Sequence, residues 1–214
     1  MPPSQPPGHP WPISFRATCI RAGLYILFIA ALAQGVYIEA LHFPEVRFSE
    51  SGFTELAQSL LLLAASLLLL YTRQVLKVLP SVTLLMFAFT FSSFIREQDV
   101  HLDTYVFDGA WQLLVTLTIL PILFRVIRER QRFTEEFANY ANSLSFGLFA
   151  AGFLTTYVFS RLYGRSAFWQ AILQENYLRT FKDAAEEVVE LLGYALILIA
   201  VIELTLLARR WALA

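Results

Sequence analysis

Beyond its first twenty residues the chain alternates long apolar stretches with short polar ones. Six stretches approach the roughly 20 helical residues that a hydrocarbon core about 30 Å thick requires: 22–41, 54–71, 80–103, 105–124, 143–163 and 183–208. The third is apolar only to Ile95, and its helix is expected to run on to Asp103 because no breaker follows Ser81. Pro121 is tolerable in the fourth, since neighbouring helices can satisfy the carbonyl it frees. The uninterrupted leucines of 60–63 and 67–70 exclude the alternating pattern of a barrel strand. An all-α, polytopic membrane bundle of six transmembrane helices is the expected fold. Between the last two spans, 166–181 interleaves Phe168, Trp169, Ile172, Leu173, Tyr177 and Phe181 with polar residues, predicting an amphipathic helix on the outer membrane face.

The N-terminal segment is different in kind. Six prolines fall within the first twelve residues, so 1–15 is expected to be a disordered tail preceding one transmembrane domain over 16–214. The first apolar run follows Arg16 and Arg21, is as long as a bilayer span and lacks a clean cleavage site, which predicts a retained signal anchor.

Composition agrees with this layout. Of 214 residues, 57% are hydrophobic and 15% charged, against ~45–50% and ~25% in soluble domains; the mean hydropathy is +0.57. Net charge is −1 and no basic block is present, which argues against nucleic-acid binding. One cysteine, Cys19, excludes a disulfide framework, a cysteine-type zinc site or an iron–sulfur cluster built from this chain alone.

Charge distribution sets the expected orientation. With six spans, ten Lys/Arg residues fall on the side of the termini: Arg16, Arg21, Arg73, Lys77, Arg125, Arg128, Arg130, Arg132, Arg209 and Arg210. The other six lie opposite, so both termini are expected in the cytoplasm, with the bacterial inner membrane as the expected location. Of seventeen carboxylates, thirteen lie at or beyond the outer span ends, joined by His42 and His101.

Several of these acids stand at membrane depth, where an ionisable group is costly and usually faces a cavity or a partner. Glu39 and Glu190 are embedded in apolar sequence, and His42 shares a helical face with Glu39. Glu55 opens the second span, with Ser51 or Thr54 available as its cap. Glu97 and His101 are spaced i,i+4, as are Asp99 and Asp103, but the pairs lie about 200° apart, so one pair at most points inward. Carboxylates and imidazoles converging from different helices suit a divalent cation. The expected ligands are Glu39, His42, Glu55, Glu97 and His101, with Glu187 or Glu190 as base and Arg96 steadying a developing anion in hydrolysis of a lipid-phase substrate. A proton- or cation-coupled transporter is the first alternative. The second is a non-catalytic assembly subunit that docks a membrane-protein partner through packed helices. Against all three stands a solvated acidic rim with Arg96, Arg161, Arg165 and Arg179 as counter-ions.

Overall fold

A computed structural model of the protein describes residues 14–42 and 52–213. Most of the proline-rich tail and the loop carrying Glu45, Arg47, Glu50 and Ser51 lie outside the described residues. Every regular element within them is helical. The first is α1 (Phe15–His42), and α2 (Phe53–Tyr71) follows, running into a π-helical turn at Thr72–Leu76. Pro80, whose missing N–H costs nothing in a first turn, starts α3 (Pro80–Arg96). Next come α4 (Asp99–Tyr105), α5 (Ala110–Arg128) and α6 (Arg130–Ala141). α7 (Leu144–Phe153) passes through a π-helical turn, Leu154–Phe159, into α8 (Ser160–Tyr163). α9 (Ser166–Leu173) and the long α10 (Arg179–Leu213) complete the chain.

Four helical segments are long and apolar enough to cross a membrane: Phe15–His42, Phe53–Leu76, Ala110–Arg128 and Arg179–Ala212. A fifth is obtained if α6 and α7–α8, which meet at 96°, count as one broken span; α3 is apolar but shorter. α10 is the hub, packing on α2 and α7, while α1 and α5 are peripheral and largely exposed. Leu62, Leu69, Ala195, Ile197, Val201 and Leu204 are almost fully buried where α2 and α10 meet the rest of the bundle. α7 and α10 approach through glycines. A Cβ on Gly193 would sit 1.9 Å from Thr156 Oγ1, and one on Gly152 would sit 2.7 Å from Gly193 O.

Hydroxyl pairs link helices inside this core: Ser66 Oγ donates to Thr90 Oγ1 at 2.9 Å, and the Thr72 and Thr205 hydroxyls lie 3.0 Å apart. Such bonds hold helices where apolar burial alone gives little preference for one neighbour over lipid.

Two predicted elements are cut short. The helix expected over 80–103 ends at Arg96, where Glu97 N and Gln98 N donate to Ser93 O and Ile95 O in a tight turn before α4 begins. The polar run Arg96-Glu97-Gln98-Asp99 has no apolar face to hold the original helix against the core. The amphipathic segment expected over 166–181 is one helix only to Leu173, followed by a tighter turn at Gln174–Asn176 and then, from Arg179, by the first turn of α10; Gln174, at φ 47° and ψ −118°, takes the backbone out of the α9 helix.

Candidate functional site

The ends of α3, α8 and the first third of α10 bring their charged groups together, with α2 closing one side. Glu190 is 2% exposed and central. Its Oε1 takes Arg161 Nη2 at 2.8 Å and Ser160 Oγ at 3.1 Å, while its Oε2 takes Arg96 Nη2 at 3.4 Å. Arg96 Nη2 also donates to Glu97 Oε1 at 3.1 Å, and Tyr194 OH donates to the same oxygen at 2.8 Å. One turn before Glu190, Glu186 is held by Arg161 Nη1 at 2.5 Å and by Lys182 Nζ at 2.6 Å. Glu187 accepts from the fully buried Gln58 Nε2 at 3.0 Å, and Gln58 Nε2 also donates to the Glu187 carbonyl.

Helical spacing accounts for this convergence. Glu186, Glu190 and Tyr194 recur every fourth residue on α10 and share a face, with Glu187 beside them. Arg96 stands in the last turn of α3, where a cation also complements the helix dipole. Arg161 and Ser160 lie at the start of α8, across the glycine-mediated seam from α10.

Three of the predicted site residues, Arg96, Glu97 and Glu190, are joined directly, and Glu187 lies on the adjoining part of α10. The others are placed elsewhere. Glu39, 1% exposed, serves α2: its Oε2 accepts from Thr54 N at 2.9 Å and Thr54 Oγ1 at 2.5 Å. This corrects the expectation that Thr54 caps α2, because the cap carboxylate comes from α1 and the residue preceding the helix is Gly52; Ser51, the other candidate, lies outside the described residues. Glu55 lies in the first turn of α2, partly exposed. His42 is exposed, its Nδ1 3.3 Å from Ile38 O, and His101 is exposed on α4. The turn at Glu97 and Gln98 separates Glu97 from His101, and Asp103 Oδ1 instead accepts from Gly109 N at 3.0 Å. Among the described residues no group of three or more His, Cys, Asp or Glu could hold a metal ion.

Sequence reasoning treated Arg161 only as a rim counter-ion and overlooked Ser160, Lys182, Tyr194 and the link from Gln58 to Glu187. The spacing of Tyr194 from Glu190 was the available signal for one of them. Arg161 had none, because its role depends on how α8 lies against α10.

Three buried polar atoms on the surrounding helices have no hydrogen-bond partner: Gln58 Oε1 on α2, Ser92 Oγ on α3 and Thr156 Oγ1 in the turn leading to α8. Groups of this kind are uncommon in folded proteins and point to water, an ion or a ligand.

Fold and site together define a helical membrane-type bundle with a buried carboxylate–guanidinium–tyrosine network near one end. No known protein family, curated protein or solved structure matches this chain.

Proposed function

We propose that the chain is a six-helix integral membrane protein of the bacterial inner membrane with both termini in the cytoplasm, and that its buried charge network is the exchange site of a proton- or cation-coupled transporter. The observation that carries this reading is an unbalanced charge in a cluster whose Glu186 and Glu190 are buried and whose Glu97 and Glu187 are half-buried. Glu97, Glu186, Glu187 and Glu190 face only Arg96, Arg161 and Lys182, leaving one carboxylate in excess of the cations in contact with them. A surplus negative charge at membrane depth favours one compensating proton or monovalent cation. The unpartnered oxygens of Gln58, Ser92 and Thr156 on the flanking helices supply uncharged ligands or water contacts of the kind such an ion needs.

Metal-dependent hydrolysis of a lipid-phase substrate, the first expectation from sequence, has less support. It needs imidazole and carboxylate donors converging on one point, and His42 and His101 stay on the surface. Glu190 is bound to two guanidinium groups and a hydroxyl, an arrangement that orients a carboxylate more than it frees one to act as a base.

The test uses the purified full chain in proteoliposomes with a trapped pH indicator and an imposed Na⁺ or K⁺ gradient. Wild type is expected to couple the gradient to a change in internal pH, and Glu190→Gln, of the same shape, is expected to lose it while keeping its helix content and elution volume. Exchange that is absent in wild type, or equal in the two proteins, overturns the transport reading and leaves the network as a structural clamp of an assembly subunit.

A further inference from the structure

A groove runs along α1, and its polar end, at Arg21 and Glu203, lies away from the charge network. α1 is pinned near its two ends. At one, Glu39 reaches Thr54 and Gly35 lies under the Phe53 ring; at the other, Arg21 Nη1 meets Glu203 Oε2 at 3.0 Å while Tyr25 OH donates to Glu203 Oε1 at 2.6 Å. Between these points α1 stands off from α7 and α10 and leaves a cavity of about 600 Å³. Its α1 wall is a stripe of small and branched residues, Ala22, Ile26, Ala30 and Ala33 among them, and Leu148 and Leu196 stand opposite. The polar groups, Thr18, Arg21, Tyr25 and Glu203, gather at the end nearest the start of α1.

An apolar space of this size forfeits the dispersion contacts of its walls unless something apolar fills it. The stripe from Thr18 to Ala33 is about 22 Å long at 1.5 Å per residue, longer than one leaflet's ~15 Å share of the hydrocarbon core. The groove is open along the exposed Ala22, Ile26, Ala30 and Ala33, so a helix, ~10 Å across with its side chains and on the order of 1,700 Å³ at that length, would lie over the groove and not within it. A single hydrocarbon chain is the occupant of the right proportions.

The head end indicates the charge of that occupant. Arg21 gives one recorded bond to Glu203 and its side chain is 25% exposed, so other donors of its five N–H groups remain for a second acceptor. Arg16, Arg209 and Arg210 lie toward the same end of the bundle, and Glu203 offsets one of the four guanidinium charges. We infer that the groove between α1, α7 and α10 is a specific site for an anionic phospholipid of the leaflet on the side of the chain termini, one acyl chain lying along the Ala22–Ala33 stripe and the phosphate beside Arg21.

The experiment is lipid extraction and native mass spectrometry of the full-length protein, purified in mild detergent and re-supplied with equal phosphatidylglycerol and phosphatidylcholine. Wild type is expected to retain about one phospholipid per chain, with phosphatidylglycerol preferred about fivefold, the factor corresponding to roughly 1 kcal/mol for one arginine at a membrane surface. Ala30→Trp, which fills the groove, is expected to lose the retained lipid; Ala33→Phe is the alternative should the tryptophan variant not fold. The double variant Arg21→Gln/Glu203→Gln removes the ion pair without stranding either charge and, with Arg16, Arg209 and Arg210 still present, is expected to keep the lipid with a reduced preference. Equal lipid retention in wild type and a folded groove-filling variant overturns the inference. So does a wild type that holds both phospholipids alike.

Discussion

Glu190 takes bonds from groups on α3 and α8, so a single side chain ties three helices together. Removing it leaves Arg96 with Glu97 and Arg161 with Glu186 as their remaining carboxylate partners. Both arginines keep partial access to solvent, at 33% and 42% side-chain exposure, which limits the penalty relative to a fully buried pair. Glu190→Ala is expected to destabilise the protein by about 2 kcal/mol, and Glu190→Gln by less because an amide oxygen still accepts. Reversible unfolding in mixed micelles measures the difference, and an alanine variant as stable as wild type would mean that the arginines are satisfied without Glu190. At this scale the sequence was informative where an acid stood inside an apolar run, as Glu39 and Glu190 do, because its burial follows from the neighbours on its own helix. It did not show that His42 and His101 would be exposed. Their shared spacing with Glu39 and Glu97 describes one unbroken helix each, and says nothing of which face meets another helix or where the helix stops.

Two helices of the bundle have first turns completed by a carboxylate from elsewhere in the chain. Glu39 of α1 binds the Thr54 amide, and Glu136 of α6 binds the amides of Ser81 and Val82 at 2.7 and 3.1 Å while Arg132 holds its other oxygen at 2.8 Å. The first amides of a helix have no partner within the helix, and a negative charge there also complements the dipole. Glu39→Ala and Glu136→Ala are each expected to cost about 1–2 kcal/mol, with accelerated hydrogen exchange confined to the first turn of α2 or of α3. Exchange unchanged at those amides would show that another group replaces the cap. The α7–α10 seam has a different basis, since Gly152 and Gly193 let two backbones approach. Gly193→Leu has no room beside Thr156 and is expected to destabilise by about 3 kcal/mol through overpacking, read as a lower midpoint in the same unfolding titration. Gly152 and Ser145 in the stretch 143–163 are small enough to let backbones approach, which the sequence by itself displays. The partner could not be read, because any of the apolar helices would accept them.

For the molecule as a whole, the six-crossing topology proposed above would place the α5–α6 junction and the α9–α10 connection on opposite membrane faces. Cys19 is the only cysteine, so a Cys19→Ser background permits single cysteines at Gln131 and Glu175, both exposed. In sealed cells or oriented vesicles a membrane-impermeant thiol reagent is expected to label Glu175→Cys from outside and Gln131→Cys only after permeabilisation. Labelling of both from one face would remove the six-crossing arrangement. Four segments meet the requirements for crossing without further argument, whereas α3 and the bent α6–α8 unit depend on how the bundle sits in lipid.

The amino-acid sequence by itself established the helical class, the absence of strand-like alternation and the positions of the main apolar segments. These properties depend on neighbouring residues: a backbone in hydrocarbon must satisfy its hydrogen bonds within its own segment, and apolar content is a sum along the chain. It also showed that acids gather toward one set of span ends. Which acids face inward, and what they meet there, was set by tertiary structure. The rotation of each helix, the turn after Arg96 and the close seam between α7 and α10 bring Arg161 and Arg96 to Glu190, and these contacts join residues far apart in the chain.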